Sequence, residues 1–167
     1  MIRLARTTDI AMIADIERSA ATLFAGTHMD IPASYVVNLP ENLDHAIRRG
    51  LLWLAELSDI ASGFLYAEII ASGLYIRELA VSAPAQRRGL GTALLAAAVT
   101  EAGNRSLPAV LLTTDRTLPW NAPFYAAHGF HLIEDDAIPA DVQRRLASQY
   151  SVGFDPAARC AMILPLG

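Results

Sequence analysis

Hydrophobic and polar positions along the chain set out a succession of elements. Ile2 to Leu4 forms a short first strand. Asp9 has the character of a helix N-cap, whose carboxylate accepts from amides two or three residues on. Beyond it Ile13, Ile16, Ala20, Leu23 and Phe24 recur at helical spacing until Gly26. Thr27 to Pro40 is irregular and contains Pro32. Asn42 to Arg49 reads as a second short helix closed by Gly50. Three strand-like runs follow: Leu51 to Leu57 with Trp53 in its apolar run, Ile60 to Ile70, and Leu74 to Val81. Ser58-Asp59 and Ala71-Ser72-Gly73 are the turns between them, and such short turns imply an antiparallel meander.

Ser82-Ala83-Pro84-Ala85 breaks the third run. An alanine-rich helix then extends from Arg87 to Ala102. Leu90, Leu94, Ala97 and Ala98 form one stripe, and Leu95, Val99 and Ala102 form another, so this helix is expected to be largely buried. Ala109 to Thr114 is a further strand and Pro123 to His128 a short helix with Gly129 at its C-cap position. Phe130 to Glu134 reads as a strand, Pro139 to Tyr150 as a helix and Ala161 to Leu164 as a closing strand. A meander followed by strand-helix alternation predicts an α/β (α+β) fold on a mixed sheet.

Composition narrows the class. The 167 residues suit one domain, 1–167, with 53% hydrophobic and 18% charged residues, outside the range of disordered chains. A net charge of −4 gives no basic footprint for nucleic acid. Cys160 is the single cysteine, so an intramolecular disulfide is excluded and a cytoplasmic location is expected. Met1 to Arg6 lack the apolar run of a signal peptide, so none is expected, and no stretch reaches the roughly 18 apolar residues of a membrane span. The mean hydropathy of +0.32 fits an alanine- and leucine-rich core and leaves room for a homodimer surface. The four histidines show no metal-ligand spacing, so no metal is expected.

The chemistry concentrates in Leu79-Ala80-Val81-Ser82-Ala83-Pro84-Ala85-Gln86-Arg87-Arg88-Gly89-Leu90-Gly91-Thr92. A strand ends, a loop rich in backbone amides follows, and a helix begins. Free amides and the dipole at a helix N-terminus attract phosphate. Gly89 and Gly91 let a phosphate approach the backbone, and Arg87 and Arg88 are cationic donors. The loop is not a Walker-type loop, which needs Lys then Ser or Thr after its second glycine; nor does it carry the third glycine of a dinucleotide fingerprint.

Gln86-Arg87-Arg88-Gly89-Leu90-Gly91 resembles the pyrophosphate loop of the GNAT acetyltransferase superfamily. Pro119-Trp120-Asn121-Ala122-Pro123-Phe124-Tyr125-Ala126-Ala127-His128-Gly129-Phe130 resembles a second segment of that family. The likeness covers Leu51 to Ile133 well and the first 50 residues only in layout. It implies a mostly antiparallel twisted sheet with helices on both faces, and acetyl-CoA as co-substrate. By the same resemblance, backbone groups of Leu79, Ala80 and Val81 hold the pantetheine arm like an added strand. Gln86, Arg87, Arg88, Gly89, Leu90, Gly91 and Thr92 surround the pyrophosphate, Asn121 hydrogen-bonds the cofactor, and Tyr125 lies near the sulfur.

Acyl transfer to an amine needs a neutral amine, donors for the oxyanion and a proton for the leaving thiolate. Tyr125 is the candidate acid, because a phenol and a thiol have comparable pKa values. Glu78 is the candidate base, being the carboxylate nearest the presumed reaction centre in sequence. In relatives with a base on this strand the slots hold Arg77 and Tyr75 here, and strand alternation allows Glu78 to face away. Glu68 and Glu17 are distant alternatives, as is a water chain. Structural readings stand beside these: Asn121 as a helix cap, Tyr125 and Trp53 as core, Trp120 as packing or pocket lining, Glu78 paired to Arg77 or Arg3. The expected acceptor is a small-molecule or peptide amine, with no nucleic-acid or membrane partner. Phe24 to Pro40, with His28, Asp30 and Tyr35, is where acceptor selectivity is sought. The competing functions are a non-catalytic acyl-CoA sensor, against which the retained Tyr125 counts, and a toxin acetylating charged tRNA, against which the missing basic surface counts.

Overall fold

The computed structural model describes residues 1–30 and 38–167, and these described residues form seven strands and five α-helices. They are β1 (Ile2–Leu4), α1 (Ile10–Ala21), α2 (Pro40–Arg48), β2 (Leu52–Leu57), β3 (Ile60–Ile70), β4 (Gly73–Val81), α3 (Leu90–Asn104), β5 (Ala109–Asp115), α4 (Ala122–Ala127), β6 (His131–Leu132), α5 (Ala140–Ser151) and β7 (Arg159–Pro165). The strands are hydrogen-bonded in the order β1-β2-β3-β4-β5-β7-β6. Pairing is parallel between β4 and β5, and antiparallel for β1–β2, β2–β3, β5–β7 and β6–β7. Pro32 and Tyr35 lie outside the described residues. No helix among the described residues is long and apolar enough to cross a membrane.

Two compact units divide the chain. The first comprises Met1–Glu68 and Arg77–Glu101. Ile13 and Ile16 of α1 and Leu43 and Ala46 of α2 pack on Leu52, Leu54, Phe64 and Tyr66. Each fully buried Leu, Ile or Phe contributes roughly 1.5–3 kcal/mol. Alternation along β3 sends Phe64 to this layer and Gly63 to the other face, where an added Cβ would lie 3.4 Å from Leu94 of α3. Helices therefore cover both faces of this unit's strands. Ser58 (φ 50°) and Asp59 (φ 62°) both take the left-handed region between β2 and β3, the geometry of a two-residue hairpin turn that matches strand twist.

Asp9 departs from its expected role as a cap. A 3-10 turn at Thr7–Asp9 precedes α1, so Asp9 already has helical dihedrals and its side chain makes no cap bond. Its buried carboxylate instead points back, accepting from the Arg6 amide (2.7 Å) and the Arg3 guanidinium (2.8 and 3.1 Å). Arg3 also donates to Glu56 at 2.8 Å. The Arg3 hydrogen bonds hold Asp9 below the usual carboxylate range, against the opposing effect of burial.

The second unit comprises Ile69–Ile76 and Ala102–Gly167. Tyr75, Ala109, Leu111 and Ala161 form its core with Val142 and Leu146 of α5. Gly73 (φ 144°) opens β4, and a Cβ there would sit 2.2 Å from the Ala109 carbonyl oxygen. Asp141 anchors the start of α5 by accepting from the Ser72 amide (3.1 Å) and hydroxyl (2.9 Å). Element bounds differ from expectation where loop geometry intervenes. The helix expected from Arg87 starts at Leu90, because Arg87 and Gly89 are left-handed. Its buried residues form the single stripe Leu90, Leu94, Leu95, Ala98 and Ala102, not two equal ones. The strand expected at Phe130 to Glu134 narrows to His131 and Leu132 in register with β7, followed by one further backbone bond from the Ile133 amide to the Ala161 carbonyl at 3.0 Å.

Candidate functional site

Sequence forces the phosphate-type loop into shape through a series of short bonds. The Ser82 amide donates to the Ser62 carbonyl at 2.8 Å, and Pro84 lies in a 3-10 turn at Ala83–Ala85. The Ala83 amide donates to the Ser19 hydroxyl of α1 at 3.0 Å. Gln86 Nε2 donates to the Val81 carbonyl at 3.2 Å, which ties the loop back to the strand before it. Arg87 (φ 59°) and Gly89 (φ 79°) are left-handed, a backbone pattern that turns successive amides toward one concavity and favours an anion. A Cβ at Gly89 would meet nothing within 4 Å, so the space beside the loop is open. Helix α3 makes its first backbone bond from the Ala93 amide to the Gly89 carbonyl at 3.0 Å. The N-terminal turn of α3 therefore opens onto this loop, where the helix dipole favours negative charge. Arg87 and Arg88 are exposed beside them. This open, left-handed, donor-rich loop fits a pyrophosphate.

On the preceding strand, the parallel ladder with β5 pairs Leu74, Tyr75 and Ile76 and stops there. Leu79, Ala80 and Val81 have no register partner on β5 among the described residues, so that edge of their backbone is not used by the ladder.

Glu78 is where the structure adds most. Arg77 and Glu78 both have partners in the first unit: Arg77 lies over the Tyr66 ring at 5.6 Å and pairs with Glu68 at 3.4 Å. Glu78 is not paired to an arginine; it accepts from the side-chain amide of Asn38. The same Asn38 nitrogen donates to Glu17 of α1 at 2.8 Å, and the Asn38 backbone amide donates to the same Glu17 oxygen at 3.2 Å. Glu17, expected to be distant, is 8% exposed and shares its amide donor with Glu78. Protein crowds the Glu78 carboxyl although the residue keeps part of its surface in solvent; burial first, then the Glu17 charge, pushes it up to about 8. Burial also raises Glu17. The expected pairing of Glu78 with Arg3 is excluded by Arg3's bonds to Asp9 and Glu56. Tyr75 belongs to the second unit, where its hydroxyl meets Thr113 at 2.7 Å.

The second unit holds the other two site residues. Asp115, fully buried at the end of β5, accepts from the Thr117 amide (2.8 Å), the Thr117 hydroxyl (2.7 Å) and the Leu118 amide (2.9 Å). The Leu118 carbonyl then takes the Asn121 amide at 3.0 Å. Asn121 occupies the N-cap position of α4, yet its side chain makes no cap bond and is not spent on holding the helix. Tyr125 is 8% exposed, its ring edge-on to Phe124 (5.1 Å) and Phe130 (5.7 Å). Trp120 is half-buried and Trp53 is core, as expected of the latter. Cys160 is buried and burial pushes its thiol up, which leaves it poorly suited to nucleophilic work.

Asn38 and Asp115 were not singled out by sequence reasoning. Asn38 ends an aperiodic stretch, and Asp115 looks like any strand-terminal carboxylate; a turn signal in Asp115-Arg116-Thr117 was the one cue on offer.

Comparison with solved structures agrees with this fold. Rv2747 from Mycobacterium tuberculosis in complex with CoA matches at 24% identity and a TM-score of 0.69, covering 100% of this chain and 99% of that one. The PaiA N-acetyltransferase from Thermoplasma acidophilum in complex with coenzyme A matches at 19% and 0.74, covering 99% and 98%. The ribosomal-protein-S18-alanine N-acetyltransferase from Escherichia coli matches at 18% and 0.68, covering 100% and 94%. At such identities these likenesses speak for the fold. The family itself follows from the match of residues 13–130, most of the chain and parts of both units, to the acetyltransferase (GNAT) family. This chain belongs to the acetyltransferase (GNAT) family and is an N-acetyltransferase with acetyl-CoA as its co-substrate.

Proposed function

We propose that this enzyme, acting as a single domain, acetylates an amine by direct attack, with Glu78 accepting the proton of the acceptor ammonium and Tyr125 returning one to the leaving thiolate. The observation that carries the reading is the convergence of Glu78 and the buried Glu17 on one Asn38 side-chain amide; this crowding supports a carboxyl pushed up to about 8, close to the pH at which a general base is most effective. A free carboxylate near 4.5 is a much poorer match to an amine whose pKa is about 10.

In this mechanism the loop from Gln86 to Thr92 holds the pyrophosphate of the bound co-substrate and Asn121 offers an uncommitted side-chain amide to it. The co-substrate supplies an activated thioester. Glu78 takes the extra proton of the ammonium, freeing the nitrogen lone pair. The C–N bond forms as the C–S bond breaks. Tyr125 gives its hydroxyl proton to the thiolate and recovers one from the amide nitrogen through water. A backbone amide on the unladdered stretch of β4 is suited to the oxyanion, a role worth about 3 kcal/mol in other acyl-transfer sites. Cys160 has no part in it. The acceptor is a small-molecule or peptide amine; the E. coli relative's name specifies a protein alanine as one acceptor type for this fold.

The test is an amine panel (polyamines, amino acids, aminoglycosides and peptides with free N-termini) incubated with acetyl-CoA, with thiol detection of released CoA. Turnover with one class names the acceptor. Tight acetyl-CoA binding without turnover of any amine overturns the catalytic reading in favour of a sensor.

A further inference from the structure

Two carboxyl groups from different elements converge on one side-chain nitrogen. Asn38 Nδ2 donates to Glu17 of α1 at 2.8 Å and also to Glu78 of β4. The Asn38 backbone amide adds a second bond to Glu17, which fixes the bridging residue as well as the bridged ones. Carboxyl groups this close do not both ionise freely. The Arg77 and Arg18 charges and the Asn38 hydrogen bonds relieve the conflict in part, but burial and the neighbouring carboxyl outweigh them at Glu78. Arg77, next to Glu78 on β4, is engaged by Glu68 and the Tyr66 ring of β3. Arg18, next to Glu17 on α1, pairs with Asp15 on the exposed side of the helix. Among the described residues neither arginine forms an ion pair with Glu17 or Glu78.

We propose that Glu17 is a positioning residue for acetyl transfer: through its own charge and the shared Asn38 bridge it keeps Glu78 oriented and basic enough to take the acceptor's proton. This rests on the reading of Glu78 as the proton acceptor. Glu17 itself touches no substrate in this scheme. Its charge discourages Glu78 from ionising in the resting enzyme, so that the Glu78 carboxylate, once formed, has a higher affinity for a proton. Asn38 acts in the opposite sense, because its donor hydrogen stabilises the carboxylate form. Balance between the two sets where Glu78 titrates.

The two residues therefore make opposite predictions. Glu17→Gln keeps shape and removes the charge; the acid limb of kcat/KM, measured with the amine chosen by the panel, moves to lower pH by about one unit or more. Asn38→Ala removes the donor and moves the limb to higher pH. A parallel 13C NMR titration of carboxyl-labelled glutamate, with Glu78→Gln identifying the resonance, should show the same two displacements. It needs no acceptor and in wild type should show a biphasic curve for the pair. Loss of rate in both variants with an unmoved limb and unmoved resonances overturns the proposal, as does independent single-step titration of the two carboxyls in wild type. Glu78→Gln separates the levels of failure. If it keeps both the rate and the limb, the reading of Glu78 as base falls. If it abolishes the limb while Glu17→Gln leaves it in place, only the role of Glu17 falls.

Discussion

Glu78→Gln should make the protein more stable at alkaline pH while disabling it. An unfolded glutamate ionises near 4.5, whereas burial and the Glu17 charge hold Glu78 near 8. Between those values the folded state keeps a proton that the unfolded chain has released. The contribution of protonated Glu78 is thus fully present below about pH 4.5 and is lost as pH rises through about 8. At about 1.4 kcal/mol per pH unit the full displacement would amount to roughly 5 kcal/mol. Partial exposure of the residue and the sharing of charge with Glu17 reduce this to about 2–3 kcal/mol by solvent screening. Glutamine keeps an oxygen to accept from Asn38 and has nothing to ionise. For a chain of this size about 2–4 °C accompanies each kcal/mol. Thermal melts of wild type and variant should therefore coincide near pH 4 and separate by roughly 5–10 °C at pH 9, the variant higher. Asp9 and Asp141, both held below the usual carboxylate range, weaken the two proteins alike as pH falls and cancel from the comparison. Melting curves that stay parallel from pH 4 to pH 9 would refute the reasoning, since they would mean that Glu78 ionises as easily folded as unfolded.

Gly89→Asp should weaken acetyl-CoA binding by about tenfold or more in calorimetric titration, because it sets a negative charge beside the N-terminus of α3, where the phosphates are proposed to lie. The open space at this Cβ limits the accompanying loss of stability to the left-handed backbone cost of about 1–2 kcal/mol, and equal affinities would remove the loop from the site. Tyr125→Phe keeps the edge-on contacts with Phe124 and Phe130 and deletes the acid, so kcat should fall by about 10²-fold with little change in melting temperature; a kcat within about twofold of wild type would make Tyr125 a packing residue. Gly73→Ala should cost about 3 kcal/mol or more in denaturant unfolding, since its Cβ would lie 2.2 Å from a carbonyl oxygen just where the parallel ladder begins; a loss below about 1 kcal/mol would show that β4 shifts freely there.

What the sequence disclosed and what it withheld divide along a physical line. Strand periodicity is written many times over: the bounds of β3 and the Ser58-Asp59 turn follow from local alternation and from residues that tolerate left-handed backbone. The loop proposed for pyrophosphate is legible because a phosphate demands backbone features of contiguous residues. Glu78 behaves differently. Its proposed value as a base depends on Asn38, 40 residues earlier, and on Glu17, 21 residues before that. Neither lies in a repeating pattern that points at β4. Parity along β4 is the one local argument the sequence offers, and it says nothing of the Asn38 and Glu17 contacts that surround Glu78. A basic carboxyl is made by removing solvent and bringing up a like charge. Both are properties of where distant segments meet, so a candidate base is nameable from sequence but becomes basic only in the fold. The same reasoning locates the acceptor preference: it belongs to whatever surrounds the Glu17–Asn38–Glu78 bridge, and substitutions there should change which amine is acetylated without altering the affinity for acetyl-CoA, a separation that binding and turnover measured on the same variants would display.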